Sequence, residues 1–339
     1  MQRFNMKIYI KVSYIFFCIL SCKENNHHIN HSEIDQLKSS EDVQSLIRKT
    51  DSTFSNYEVK RIKDFRREDF LCKENIALAD QLDVSQSFYK TDFDNNGFTD
   101  LLVIGDKNNC LGMNNESCSY SPIVLLNFGN RKYALKDISQ GFDDYYVPRI
   151  KKVNNKNLLE INKSVVKDWE KKTFGEPSKQ TLEFKEGEFV EYNSNDKNYI
   201  PVQKIEFSTS GCYGTCPVFQ LSIDQNRNAH FIAEHFNFSE NMESWSENIE
   251  GKFHAVIDEK QYQNLIVTLQ YIDFPNLKDN YAVDWTDDQT VILKITYAGN
   301  KVKVIQDYGA QGTYGLKSIY KKLFELRKNQ KWKKDEGFN

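Results

Sequence analysis

Val291-Ile292-Leu293-Lys294-Ile295-Thr296-Tyr297-Ala298-Gly299-Asn300-Lys301-Val302-Lys303-Val304 is the stretch whose reading decides the fold. Val291, Leu293, Ile295 and Tyr297 recur at every second position, the period at which side chains share one face of a strand. Gly299-Asn300 then offers residues that tolerate a tight turn, and Val302 and Val304 return, so the segment reads as a β-hairpin. Upstream, Asp258 caps a helix with Gln261 at the capping-box position, and Tyr262, Leu265, Ile266 and Leu269 repeat at helical spacing. Before that helix, 205–208, 219–223, 229–236 and 252–256 read as four strands. Phe219, Leu221 and Ile223 alternate onto one face. Beyond the hairpin, Leu316, Ile319, Tyr320, Leu323 and Phe324 mark a closing amphipathic helix. The order ββββαββα predicts an antiparallel sheet with both helices on one face.

The first half is also β-rich. Runs of aromatic and β-branched residues at 57–65, 85–90, 100–105, 122–128 and 158–162 are strand candidates, and 182–184 and 189–192 flank the turn Glu186-Gly187-Glu188. A short helix starts at Ser39 or Ser40, with Val43, Leu46 and Ile47 on one face. Apolar pattern disappears over 192–198, which places a boundary between a β-rich domain at 39–195 and an α+β domain at 200–332. A chain of 339 residues suits about two such domains. The whole is expected to be α+β and mostly β, with no repeat that would make a solenoid or a propeller. A formal charge of -3 gives no electrostatic footprint for nucleic acid, so none is expected as a partner.

At the start, Arg3, Lys7 and Lys11 precede an apolar run over 12–20 that ends in Ile19-Leu20-Ser21-Cys22. This resembles a bacterial lipoprotein signal. The resemblance implies that 1–21 is a signal peptide, that Cys22 is acylated, and that the chain is lipid-anchored in the cell envelope, at the outer membrane. Whether it faces the periplasm or the outside stays open. The apolar run covers only about 14 Å of helix against a ~30 Å hydrocarbon core, too short to span. Residues 22–38 read as a polar tether. Its His27, His28 and His31 have nothing rigid to orient them on a metal.

Gly211-Cys212-Tyr213-Gly214-Thr215-Cys216-Pro217 lies just before a strand. Together with Asp307-Tyr308-Gly309 and a terminal helix ending near Trp332, it resembles an uncharacterised bacterial family, domain of unknown function 6438, from about 202 to 332. Gly211, Cys212, Gly214, Cys216, Pro217, Asp307, Tyr308 and Gly309 carry the likeness, which implies no activity. Two cysteines separated by three residues can reach each other, and outside the cytoplasm a disulfide is expected. The alternative is a dithiol metal or redox site, because Cys-x-x-x-Cys-Pro also occurs in copper-delivery proteins resembling thioredoxin. There the motif leads into a helix, whereas 218–224 alternates like a strand. His230, His235 or His254 would complete a metal site only if folded nearby.

Asp92-Phe93-Asp94-Asn95-Asn96-Gly97-Phe98-Thr99-Asp100, with its flanks over 85–105, resembles a single integrin-type (FG-GAP/VCBS-like) calcium-loop hairpin. The resemblance implies that Asp92, Asp94, Asn96, Asp100 and the Phe98 carbonyl surround one calcium ion. Val103 stands at the twelfth position, where an EF-hand has Glu. The other reading is a polar hairpin turn rich in Asn and Asp. Of the other cysteines, Cys110 and Cys118 are candidates for a second bridge, leaving Cys72 buried or free. Nucleophile elbows, glycine-rich phosphate loops and His-Glu-x-x-His helices are missing from the sequence. The function expected is therefore a lipid-anchored binding or structural module with an unidentified protein or envelope partner, rather than an enzyme. The alternative is a periplasmic thiol-based metal-binding or redox protein using Cys212 and Cys216.

Overall fold

The computed structural model describes residues 32–65, 70–107, 120–138, 145–194, 199–238 and 248–335. The expected signal peptide, Cys22, most of the expected tether, Cys110 and Cys118 lie outside the described residues.

The alternating second half folds into an eight-stranded sheet. Its strands, in spatial order, are Asn280–Ala282, Lys301–Tyr308, Thr290–Tyr297, Val202–Thr209, Val218–Asp224, Asn228–His235, Gly251–Val256 and Lys333–Lys334. All neighbours are antiparallel except the edge strand Asn280–Ala282, which runs parallel to Lys301–Tyr308. Ile205, Phe207, Phe219, Leu221, Leu293 and Ile295 point to one face. There the helices Glu259–Tyr271 and Tyr314–Asn329 supply Leu265, Leu269, Leu316, Ile319 and Leu323 to a shared core, so both helices cover the same side, as the alternation predicts. The opposite face is open, with Ile292, Val302 and Val304 exposed. The Asp258 side chain accepts the Gln261 N–H at 3.1 Å and starts the first helix, a cap worth about 1 kcal/mol.

The first half stacks two four-stranded antiparallel sheets. One runs Phe88–Thr91, Asp100–Val103, Ile123–Asn127, Tyr133–Asp137; the other runs Glu188–Glu191, Ser178–Lys185, Lys156–Lys163, Val147–Val153. Asp100–Val103 and Ile123–Asn127 are buried on both faces, which is why they read as unbroken apolar runs. Leu101, Val103, Ile123 and Leu125 pack on Val43, Leu46 and Ile47 of the helix Ser40–Thr50. Leu102, Val124 and Leu126 face Leu159, Leu182 and Phe189 of the second sheet.

Two local expectations change, and one helix is added. The run at 57–65 is no long strand: only Glu58–Val59 pairs, and a 3-10 turn over Ile62–Asp64 follows, because Ile62 and Phe65 are buried at a three-residue spacing. Residues 34–37, expected to belong to a polar tether, instead pack on the fold: Ile34 is fully buried and the Lys90 ammonium donates to the Asp35 and Leu37 carbonyls. A helix, Phe70–Gln81, occupies a stretch with no strand or helix expectation, burying Cys72, Leu78 and Ala79.

Contacts cross the expected domain boundary. The Glu191 carboxylate accepts the backbone N–H groups of Tyr314 and Gly315 at 2.7 and 2.9 Å, at the positive end of the sixteen-residue terminal helix. The Tyr314 side chain lies in the core of the first half, and its hydroxyl donates to the Ile138 carbonyl at 3.1 Å.

Candidate functional site: a carboxylate cluster and the motif loops

The loop between strands Phe88–Thr91 and Asp100–Val103 turns back on itself through positive φ at Asn95 and Gly97. It brings one carboxylate oxygen each from Asp92, Asp94 and Asp100 within 4.8 Å of one another. Asp92 accepts the N–H groups of Asn96 at 3.2 Å and Gly97 at 2.9 Å. Asp100, fully buried, accepts the N–H of Phe93 with one oxygen and that of Asn127 with the other, each at 2.8 Å. Asn96 braces the loop. Its amide donates to Asp94 at 2.9 Å and to the Asn127 carbonyl at 2.8 Å, while its oxygen accepts the Phe98 N–H at 2.7 Å. The Phe98 ring covers Gly129, where an added Cβ would stand 2.5 Å from it. Of the five residues expected around calcium, the structure gathers the three aspartates as a cluster and uses Asn96 to hold their geometry.

Burial pushes the Asp100 carboxyl up to about 7, partly offset by its two backbone donors and reinforced by Asp94 and Asp92. Burial also pushes Asp94 up to about 6, with Asp92 repelling its charge. Three carboxylates in this space are hard oxygen donors, the chemistry that suits a hard divalent cation.

In the second half, Cys212 and Cys216 form a disulfide with Cα atoms 5.7 Å apart. Gln289 donates from Nε2 to the carbonyls of Ser210 and Pro217 at 2.6 and 2.8 Å, and the Tyr213 N–H donates to the Asp287 carbonyl at 3.1 Å. Tyr213 stands 90% exposed at the loop tip. Among the described residues, no three-ligand cluster includes either cysteine. His254 pairs with Asp335 and lies directly opposite His230 on the adjacent strand, while His235 sits 4.0 Å from Glu250. Cys72 is buried as a thiol.

Asp307-Tyr308-Gly309 ends the strand Lys301–Tyr308 at the same end of the sheet. Asp307 is fully buried, and its Oδ2 accepts the Gly312 N–H at 2.8 Å. Burial holds its carboxyl above the ordinary range, opposed by that N–H and by the Tyr320 hydroxyl. The Tyr308 hydroxyl accepts the Asp288 N–H at 3.1 Å, and the Gly309 N–H donates to the Gln289 carbonyl at 2.8 Å. Gly309 has φ +91°, and a Cβ there would meet Val283 at 2.6 Å. The two motifs, far apart in sequence, thus grip one segment, 283–289, from both sides.

Beside that segment lies a feature sequence reasoning missed: a cleft of about 750 Å³ between the halves, lined among others by Glu74, Trp169, Tyr281, Asp284 and Gln311. These residues carry no shared spacing, so only the fold brings them together.

The second half is therefore an α+β domain built on a nearly all-antiparallel sheet with two helices behind it. Residues 203–327 match the family model described as Domain of unknown function (DUF6438), spanning most of that sheet and ending inside the terminal helix. The likeness carried by Cys212, Cys216 and Asp307 is borne out over this range. No curated protein and no solved structure matches the chain.

Proposed function

We propose that the protein is a lipid-anchored cell-envelope module, held at the outer membrane through Cys22, that binds an envelope partner and whose first half is stiffened by calcium at Asp92, Asp94 and Asp100. The anchoring reading rests on the Ile-Leu-Ser-Cys run behind a short apolar core. The calcium reading rests on one observation: three carboxylates converge within 4.8 Å, one of them fully buried with a carboxyl pushed up to about 7. Desolvation and crowding oppose the ionisation of Asp94 and Asp100, and a divalent cation would remove that cost by replacing water with fixed oxygens. With the ion bound, Asp100 would tie the loop to the buried strands that carry both cores of the first half. The disulfide gives the thiol alternative a closed pair rather than two thiols.

The test is a thermal melt in chelator and in millimolar calcium. Affinity in the roughly 10⁻⁴ to 10⁻³ M class of extracellular modules is sufficient. At ten times the Kd, binding to the native state adds about 1.4 kcal/mol, a rise of a few degrees. Asp94→Ala should abolish the rise. An unchanged midpoint for the parent protein would reduce the loop to a polar turn.

A further inference from the structure

The cleft between the halves is lined by residues of both. From the first half come Glu74 of the helix Phe70–Gln81 and Trp169, in the turn joining strands Val166–Asp168 and Thr173–Phe174. From the second come Tyr281 of the edge strand, then Asp284, Trp285 and the Gln311-Gly312 turn. Trp169 is 65% exposed, yet its ring is held edge-on against Phe70 with centroids 5.7 Å apart. Trp285 is pinned through its Nε1, which donates to Asp288 at 2.9 Å. Aromatic side chains from both halves therefore line one cleft together with carboxylates and an amide.

We infer that this cleft binds a neutral oligosaccharide, which rests on the binding-module reading above and supplies its ligand class. An exposed, pre-oriented indole presents a large apolar face at little further ordering cost. The C–H face of a pyranose ring stacks on such a surface. Planar carboxylates and amides, such as Glu74, Asp284 and Gln311, pair with neighbouring hydroxyls of the same ring. The volume lies within the range of small-ligand sites. Two acidic side chains, Glu74 and Asp284, against Lys163 do not select an anion.

The inference also gives the motif residues a task. A Cβ on Gly312 would stand 3.1 Å from the Tyr281 ring and 2.6 Å from Asp307 Oδ2, so Asp307 seats the turn against a cleft-lining aromatic. The disulfide loop and Gln289 hold the segment that follows Asp284 and Trp285. These are positioning residues: they do not touch the sugar.

The experiment is a tryptophan-fluorescence and calorimetric titration of the full mature chain with chitohexaose, maltohexaose and cellohexaose. At least one should bind saturably. Trp169→Ala should weaken it at least about tenfold while lowering the melting temperature by no more than a few degrees, the cost of its contact with Phe70, and Asp284→Ala should weaken it as well. No binding of any of the three at millimolar concentration would overturn the inference. So would sugar binding that Trp169→Ala leaves intact, or capture of an extended peptide that depends on Trp169. Membrane fractionation and the calcium melt are independent readouts, so failure of the sugar titration removes the ligand class alone, and failure of those two removes the anchored, calcium-braced module.

Discussion

Asp307 Oδ2 accepts the Gly312 N–H at 2.8 Å, and a Cβ on that glycine would stand 2.6 Å from the same oxygen. The turn that opens the terminal helix is thus built against a buried carboxylate, with no space between them. Gly312→Ala should destabilise the protein by about 1–3 kcal/mol through overpacking. Asp307→Ala should cost about 1–3 kcal/mol by leaving the half-buried Gly312 N–H without its acceptor. Urea midpoints at constant m-value check both. Changes within ~0.5 kcal/mol, the usual range for a plain surface site, would contradict this account of the motif.

Calcium-free stability should fall as pH rises. Asp94 and Asp100 have folded-state values of about 6 and 7, above their ordinary 3.8. The folded state therefore holds more protons than the unfolded one across that window. Their contribution declines from about pH 4 to pH 7 and is flat above it. The pH slope of parent minus Asp100→Asn, from urea midpoints in chelator, isolates the Asp100 share. A parallel pair of pH profiles would refute the assignment.

The Cys212–Cys216 bridge closes a very short loop, which constrains the unfolded chain less than a long one does. Replacing both with Ser should cost at most the common ~2–4 kcal/mol and should loosen the Tyr213 N–H from Asp287. Hydrogen exchange at Tyr213 reads the second effect, and mass spectrometry of the unreduced peptide reads the bridge. Two alkylatable thiols in the mature protein would move the account toward the thiol alternative.

Cys22→Ala should leave the chain unprocessed or released from membranes. Two or more acyl chains, each gaining ~0.8 kcal/mol per buried CH₂, would hold the parent protein firmly. A mutant that still sediments with membranes at mature size would contradict the anchor.

The second half was legible because it has one wet face. Phe219, Leu221 and Ile223, and likewise Val291, Leu293 and Ile295, are buried at every second position, which periodicity reports directly. The helix Phe70–Gln81 was not, because it buries Asn75 beside Cys72 and Leu78 and so has no clean apolar stripe. Asn280–Ala282 was missed for a different reason: three residues on a parallel edge carry no alternation to detect. Asp92, Asp94 and Asp100 were found because one short loop holds all three. Glu74, Trp169 and Asp284 meet only through the docking of the halves, which no local pattern encodes.

The central claim, calcium on the carboxylate cluster, is tested most directly by calorimetric titration of chelator-treated protein with calcium in buffers of different ionisation heat. One ion per chain is expected, displacing on the order of one proton at pH 6, where Asp100 is largely and Asp94 about half protonated, and almost none at pH 8.5. Asp100→Asn should lower the affinity and reduce the proton count at pH 6. No binding heat at millimolar calcium, or binding with equal proton release at both pH values, would contradict it.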